Sequence, residues 1–166
     1  MQKEEFFAEA RDDLTGPLAG VRVLEVTTTW AGPLSGAVLA DLGADVIKVE
    51  IPSGDVARAL MPLPNTEVSL MHATVNRNKR SLSIDMTSDE GRQVLLDLVA
   101  KSDIMLENFK AGTLARHGLG YEHVRLVKPD IVYVSVTGWG QFGPDHQAAG
   151  YDPMAQATSG FMMVNG

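Results

Sequence analysis

A chain of 166 residues with 45% hydrophobic side chains is long enough for one domain with its own core, and its 21% of charged residues is ordinary for a globular protein. With 14 basic against 21 acidic residues and a formal net charge of −7, there is no broad electrostatic reason to bind nucleic acid. The absence of cysteine excludes disulfides, thiolate zinc sites and cysteine nucleophiles, and it fits a cytoplasmic setting.

The N-terminal stretch MQKEEFFAEARDDL is charged and lacks an apolar signal core. No apolar run approaches the ~20 residues of a membrane span. Residues 1–17 are therefore expected to be a lead-in segment containing a short amphipathic helix, with a single domain over 18–166 and no membrane partner.

After Gly16-Pro17, VRVLEV (21–26) reads as a buried strand that ends in the polar run Thr27-Thr28-Thr29. AGPLSGAVLADLGA (31–44) carries Leu34, Val38, Leu39 and Leu42 at helical spacing, and DVIKVE (45–50) is a second strand. This is a βαβ unit, for which a parallel pair and a right-handed crossover are expected.

Residues 52–74, with prolines at 52, 62 and 64, read as a long irregular excursion. NRNKRSLSIDM (76–86) enters a short strand, and Thr87-Ser88-Asp89-Glu90 supplies a helix cap with acidic residues in the first turn. DIMLENF (103–109) is the next strand and its exit, and TLARHGLGYEHVRLVKP gives one or two short helices. DIVYVSVTG (130–138) has the strongest strand character in the chain. Strands alternating with helices predict an α/β fold: a Rossmann-like open, mostly parallel sheet flanked by helices, with its ligand site beyond the C-terminal strand ends. TTTW, ENFK and TGWGQ all fall at such ends.

GWGQFG (138–143) spells G-x-G-x-x-G straight after a strand, but Pro144-Asp145-His146-Gln147 continues as loop where a dinucleotide fingerprint opens a long helix. Glu50 ends the second strand, where such enzymes hold a ribose, yet the preceding turn TTTWAGPLSG lacks the glycine triplet. A nicotinamide or flavin site is therefore disfavoured. The histidines at 72, 117, 123 and 146 show no paired ligand spacing, so no metal is indicated.

Arg77, Lys79 and Arg80 concentrate positive charge in an otherwise acidic chain, which suits a phosphate or a plain solvated loop. Arg116 follows a turn containing Asn108 and Phe109 and can add a further phosphate or stacking contact. In GYDPMAQATSG, Asp152 precedes a proline. That pattern ordinarily starts a helix, with the carboxylate accepting free N–H groups and Pro153 losing nothing at the first helical position.

LAGVRVLEVTTTWAGPLSGAVLADLGADVIKVE, NRNKRSLSIDM, DIMLENFKAGTLARHGLGY, VTGWGQFGP and GYDPMAQATSG together resemble, in order and spacing, the class III coenzyme A transferase family. Its relatives include formyl-CoA and carnitine-CoA transferases and the α-methylacyl-CoA racemases. The resemblance runs from about Leu18 to the last residue. Members are more than twice this long, so the chain resembles the N-terminal, CoA-binding portion.

The resemblance implies a Rossmann-like domain that grips CoA along its strand ends, within dimers whose chains interlock, or completed by the remainder of the family fold. CoA and acyl-CoA would be substrates, a carboxylic acid the acceptor, and no cofactor would be tightly bound. The transferase aspartate falls on Asp152, a nucleophile whose anhydride and thioester both remain activated for transfer. A helix N-terminus would hold that carboxylate in place and keep it ionised.

Family CoA contacts would fall on Thr29, Trp30 and Ala31, on Asn108 and Phe109, and on Arg116, with Arg77, Lys79 and Arg80 as further basic candidates. Gln141 in the glycine-rich loop would donate to the developing oxyanion. Gly150-Tyr151-Asp152 stands where the racemase branch usually carries histidine before the aspartate, which favours transfer over racemisation. The alternatives on the same scaffold are a racemase with Asp152 as acid/base and a noncatalytic CoA-binding module.

Overall fold

The computed structural model describes residues 15–66 and 68–165. The lead-in helix expected before residue 15 lies outside the described residues. The elements follow in order as β1 (Arg22–Val26), α1 (Ala31–Asp41), β2 (Asp45–Glu50), a 3₁₀ turn (Val56–Ala59), α2 (Leu70–Val75), β3 (Arg80–Ser83), α3 (Asp89–Val99) and β4 (Ile104–Glu107). They continue with α4 (Thr113–Arg116), α5 (Tyr121–Val127), β5 (Val132–Ser135), α6 (Asp152–Thr158) and α7 (Phe161–Asn165).

The five strands form one sheet in the order β3-β2-β1-β4-β5, and every pair is parallel. From β1 the chain builds outward to β2 and β3, then crosses back to β4 and β5 on the other side. The reversal leaves a crevice between the C-terminal ends of β1 and β4, the place where open α/β sheets bind ligands. The α/β expectation holds, with a sheet parallel throughout.

Side chains alternate across the sheet as the strand period requires. Leu24, Val26, Ile47, Val49 and Met105 pack with Leu95 and Val99 of α3, Leu114 of α4 and Val124 of α5. On the other face Val23, Val46 and Leu106 meet Ala40 of α1. Helix α3 starts where the sequence predicts: Ser88 Oγ accepts the Gly91 N–H at 3.0 Å, and Asp89 and Glu90 occupy the first turn. Among the described residues no helix is long and apolar enough to cross a membrane.

Two expectations need correction. The stretch 52–74 is not irregular throughout: Asp55 caps the 3₁₀ turn through the Ala57 N–H, and Ser69 caps α2 through the His72 N–H. Ser69 Oγ also donates to the Ala57 carbonyl at 2.6 Å, tying the excursion to itself. The segment 130–138, the most strand-like by composition, forms a strand of only four residues at the sheet edge, with Val132 and Val134 exposed. β-branched content reports fit to a pleated surface, not the number of neighbouring strands.

Candidate functional site

A groove of about 900 Å³ opens at the crevice, lined by Thr28–Ala31, Asn108–Ala111, Val136–Trp139, His146 and Ala148–Pro153. Its walls are thus the exits of β1, β4 and β5 together with the segment that enters α6. Of the sequence candidates, Thr29, Trp30, Ala31, Asn108, Phe109 and Asp152 meet here.

The β1 and β4 exits are clamped together. Thr28 N–H donates to Asn108 Oδ1 and Asn108 Nδ2 donates to the Thr28 carbonyl, both at 2.8 Å. Thr29 then takes φ 72°, a left-handed conformation that a β-branched residue rarely adopts and that persists only where its surroundings hold it. Trp30 and Ala31 follow directly into α1, whose start carries no side-chain cap. Pro33 in the first turn costs α1 nothing, because that turn has no intrahelical N–H partner to lose.

Beneath this corner lies a buried ionic network on β1 and β2. Lys48 Nζ contacts the Thr27 carbonyl at 2.6 Å, Asp55 Oδ2 at 3.0 Å and Glu25 Oε1 at 3.3 Å. Lys79 Nζ reaches Glu25 Oε2 at 2.7 Å, and burial pushes its ammonium down from the usual lysine range. Glu25 lies under α1 where Gly36 leaves room: a Cβ there would stand 1.7 Å from Glu25 Oε2. Farther along β2, Glu50 takes a two-point contact from Arg58 at 2.7 Å and accepts the Asp55 N–H. The Arg58 guanidinium is the main cause that holds the Glu50 carboxyl down at about 2, against the opposing effect of burial.

Glu107, at the end of β4, is the buried acid on the other side of the crevice. It accepts the Phe109 N–H at 2.8 Å and the Gln141 Nε2 at 3.3 Å. Burial raises its carboxyl above the usual range, partly offset by hydrogen bonds from Ser135 and Phe109. One side chain thus ties the β4 exit to the glycine-rich loop.

Asp152 reaches the groove because two glycines cross. Cα of Gly150 would stand only 2.4 Å from a Cβ on Gly138, so the chain returning to α6 lies directly on the β5 exit. Trp139 Nε1 donates to the Ala149 carbonyl at 2.8 Å and fixes that crossing. Asp152 is exposed and is the first residue of α6; Tyr151 occupies the cap position.

Here the expectation of a capping carboxylate fails. Tyr151 makes no side-chain cap bond, and the Asp152 carboxylate instead accepts the Gln156 side-chain amide one turn on.

Other expected contacts lie elsewhere. Arg77 makes a two-point ion pair with Asp41, the last residue of α1, and Arg80 makes one with Asp45, the first residue of β2. Both therefore sit at the N-terminal end of the sheet, opposite the groove. Lys79 is buried against Glu25 and donates to the Pro33 carbonyl at 2.7 Å. The three cations do not converge on one place: Arg77 and Arg80 pair with the partly exposed Asp41 and Asp45, and Lys79 with the buried Glu25.

Gln141 directs its amide to Glu107 at 3.3 Å and is not among the residues that line the groove. Arg116 also stays outside the lining; its guanidinium is exposed, with one 3.3 Å contact to Thr113 Oγ1.

Asp55, Glu107 and the Gly138–Gly150 crossing are the parts that sequence reasoning missed. A signal for the first was present: Glu25 and Lys48 interrupt otherwise apolar strands, and charges at such positions must be paired.

The model of the family described as CoA-transferase family III matches residues 18–166. The chain is 46% identical over 158 residues to the succinate–glutarate CoA-transferase of Agrobacterium fabrum, covering 90% of this chain and 39% of that protein. It is 44% identical over 156 residues to the succinyl-CoA:glutarate CoA-transferase of Mus musculus, covering 93% and 36%. A crystal structure of a CaiB/BaiF family protein from Brucella suis superposes with a TM-score of 0.83 at 41% identity, covering 90% of this chain and 40% of that one. The chain thus spans well under half the length of these relatives.

Proposed function

The chain belongs to CoA-transferase family III, and from that premise we propose that its groove holds coenzyme A and that Asp152 is the covalent nucleophile of an acyl-CoA:carboxylate CoA-transferase. The observation that carries this reading is the position of Asp152. It stands exposed on the rim of the groove whose other walls are Thr29–Ala31 and Asn108–Phe109.

In this mechanism an Asp152 oxygen attacks the thioester carbonyl carbon, the C–S bond breaks, and CoA leaves as its thiolate. The product is a mixed anhydride between Asp152 and the donor acid. The thiolate then attacks the aspartyl carbonyl, releasing the donor carboxylate and leaving CoA as a thioester on Asp152. The acceptor carboxylate attacks that thioester, and the thiolate set free attacks the acceptor carbonyl of the new anhydride, which restores the Asp152 carboxylate. No step needs a proton removed from the nucleophile, which suits a carboxylate at a water-accessible rim.

The uncapped start of α1 presents its first N–H groups beside Trp30 and Ala31, a favourable place for negative charge on CoA. Exposed Arg116 is available for a phosphate. Succinyl-CoA and glutaryl-CoA are the first donors to try, given the names of the relatives reported above. The exposed Met163 and Val164 on α7 fit a cover by a second chain of a dimer or by the remainder of the family fold.

The test is intact-protein mass spectrometry after incubation with those thioesters and hydroxylamine. A hydroxamate that maps to Asp152 and disappears in Asp152→Ala is expected. Coenzyme A binding with no adduct at Asp152 from any thioester would overturn the covalent role.

A further inference from the structure

We propose that Asp55 is the positioning residue that sets the Thr28–Ala31 corner of the groove for coenzyme A, an inference that rests on the reading of that groove as the CoA site. Thr29 holds the left-handed conformation on which the corner depends. Asp55 is the group that holds it: Oδ1 accepts the Thr29 N–H at 3.0 Å and the Thr28 hydroxyl at 2.9 Å. The same oxygen accepts the Ala57 N–H at 2.9 Å, so the anchor is itself fixed by the 3₁₀ turn.

The other oxygen faces Lys48 Nζ at 3.0 Å, and the side chains of Asp55 and Lys48 are only 1% and 2% exposed. Lys48 is held in turn by the Thr27 carbonyl and by Glu25, which Lys79 completes. Asp55 is therefore clamped from below by a cation and from the side by a helical turn, while its free acceptor capacity points at two consecutive residues of the β1 exit. Without that anchor a threonine at position 29 relaxes toward negative φ, and Trp30 and the start of α1 turn away from Asn108 and Phe109.

Neutralisation of Lys48 alone is the competing role for Asp55, and the backbone separates the two. Glycine adopts the left-handed conformation without an anchor. Thr29→Gly should therefore relieve a positioning defect and leave a charge defect untouched.

The experiment is calorimetric titration of the chain with coenzyme A, comparing wild type, Asp55→Ala and Asp55→Asn, each with and without Thr29→Gly, with folding checked by circular dichroism. Asp55→Ala is expected to weaken binding by about tenfold, and Asp55→Ala with Thr29→Gly to recover most of that loss. Amide exchange in the 27–31 segment should accelerate in Asp55→Ala.

If Asp55→Ala does not fold, Asp55→Asn decides. It keeps an oxygen for the Thr29 N–H, so partial protection of that amide and a smaller loss of affinity are expected. Unchanged affinity, or a loss that Thr29→Gly does not relieve, overturns the role while leaving the groove as the CoA site. A wild-type chain that does not bind coenzyme A removes the groove reading, and this role with it.

Discussion

Asn108 and Thr28 hold each other by two reciprocal hydrogen bonds of 2.8 Å, and this pair joins the ends of two strands that are neighbours in the sheet but 80 residues apart in the chain. The amide side chain acts as a short piece of extra strand. It supplies the donor and the acceptor that the diverging backbones of β1 and β4 no longer give each other.

Asn108→Ala removes both bonds and leaves a half-buried N–H and carbonyl unpaired at Thr28. A loss of about 1–3 kcal/mol is expected, read from urea denaturation at neutral pH. Asn108→Asp keeps the acceptor for the Thr28 N–H but turns an anionic oxygen toward the Thr28 carbonyl, so it should be no better than the alanine. A loss below about 0.5 kcal/mol in both variants would show that the clamp contributes nothing to the fold.

The crossing of Gly138 and Gly150 gives a second expectation. A Cβ on Gly138 would stand 2.4 Å from Gly150 Cα, and one on Gly150 would stand 2.7 Å from Gly138 Cα, distances that backbone atoms do not tolerate. Either alanine must lift the 148–152 segment off the β5 exit. Because α6 and α7 bury none of their own residues, the global transition should barely move. Adduct formation at Asp152 should fall by at least about tenfold, a barrier change of ~1.4 kcal/mol. Adduct formation at the wild-type rate in both variants would show that the crossing does not place Asp152.

The Arg58–Glu50 pair predicts a pH dependence on the acid side. The folded Glu50 carboxyl lies at about 2 against an ordinary 4.5, chiefly because of Arg58. A group whose folded value is depressed gives stability that is present above the ordinary value and lost as pH falls from about 4.5 through about 2. The interval sets a ceiling of ~3 kcal/mol, and the half-exposed Arg58 partner is screened by water, so about 1–2 kcal/mol is expected. Arg58→Ala should cost that much at pH 7, and the difference from wild type should vanish near pH 2. A deficit that stays constant down to that pH would assign it to lost packing of the arginine stem.

How much of this was legible in the sequence differs by element. β1 and β2 followed from VRVLEV and DVIKVE, because burial on both sheet faces leaves little freedom in which residues appear. α1 followed from the helical spacing of Leu34, Val38 and Leu39, yet the face it buries is the small one, Gly32, Gly36, Ala37 and Ala40, and Val38 is exposed. The meeting of Thr29 and Asn108 followed from the general place of ligands at strand ends. Lys79 did not: its run NRNKR reads as a phosphate site or a solvated loop, and its acid, Glu25, lies in β1, 54 residues earlier.

The same limit hid Glu107. Residues 107–109 spell a polar strand exit, and nothing local tells that the glutamate turns inward toward Gln141, 34 residues further on. Pairings set by topology are invisible to periodicity, whereas the elements that topology joins are not.

Glu107 supplies the last prediction, of opposite sign to Glu50. Its carboxyl is raised mainly by burial, which disfavours the charged form. A carboxyl raised in the folded state gives stability that is complete below its ordinary value of 4.5 and is lost as pH climbs through the folded value. Glu107→Gln removes the titration and keeps an oxygen for the Phe109 N–H, while the Gln141 amide can reverse to accept from the new amide. The variant should match wild type near pH 4 and become more stable than wild type as pH rises above 4.5, until the folded carboxyl has ionised as well. Paired urea titrations across that range measure the gap, which opens only if the folded Glu107 carboxyl keeps its proton at a pH where the unfolded one has lost it. A gap independent of pH would mean that folding leaves the Glu107 carboxyl at its ordinary value, and would reduce its part at the β4 exit to its hydrogen bonds with Phe109, Gln141 and Ser135.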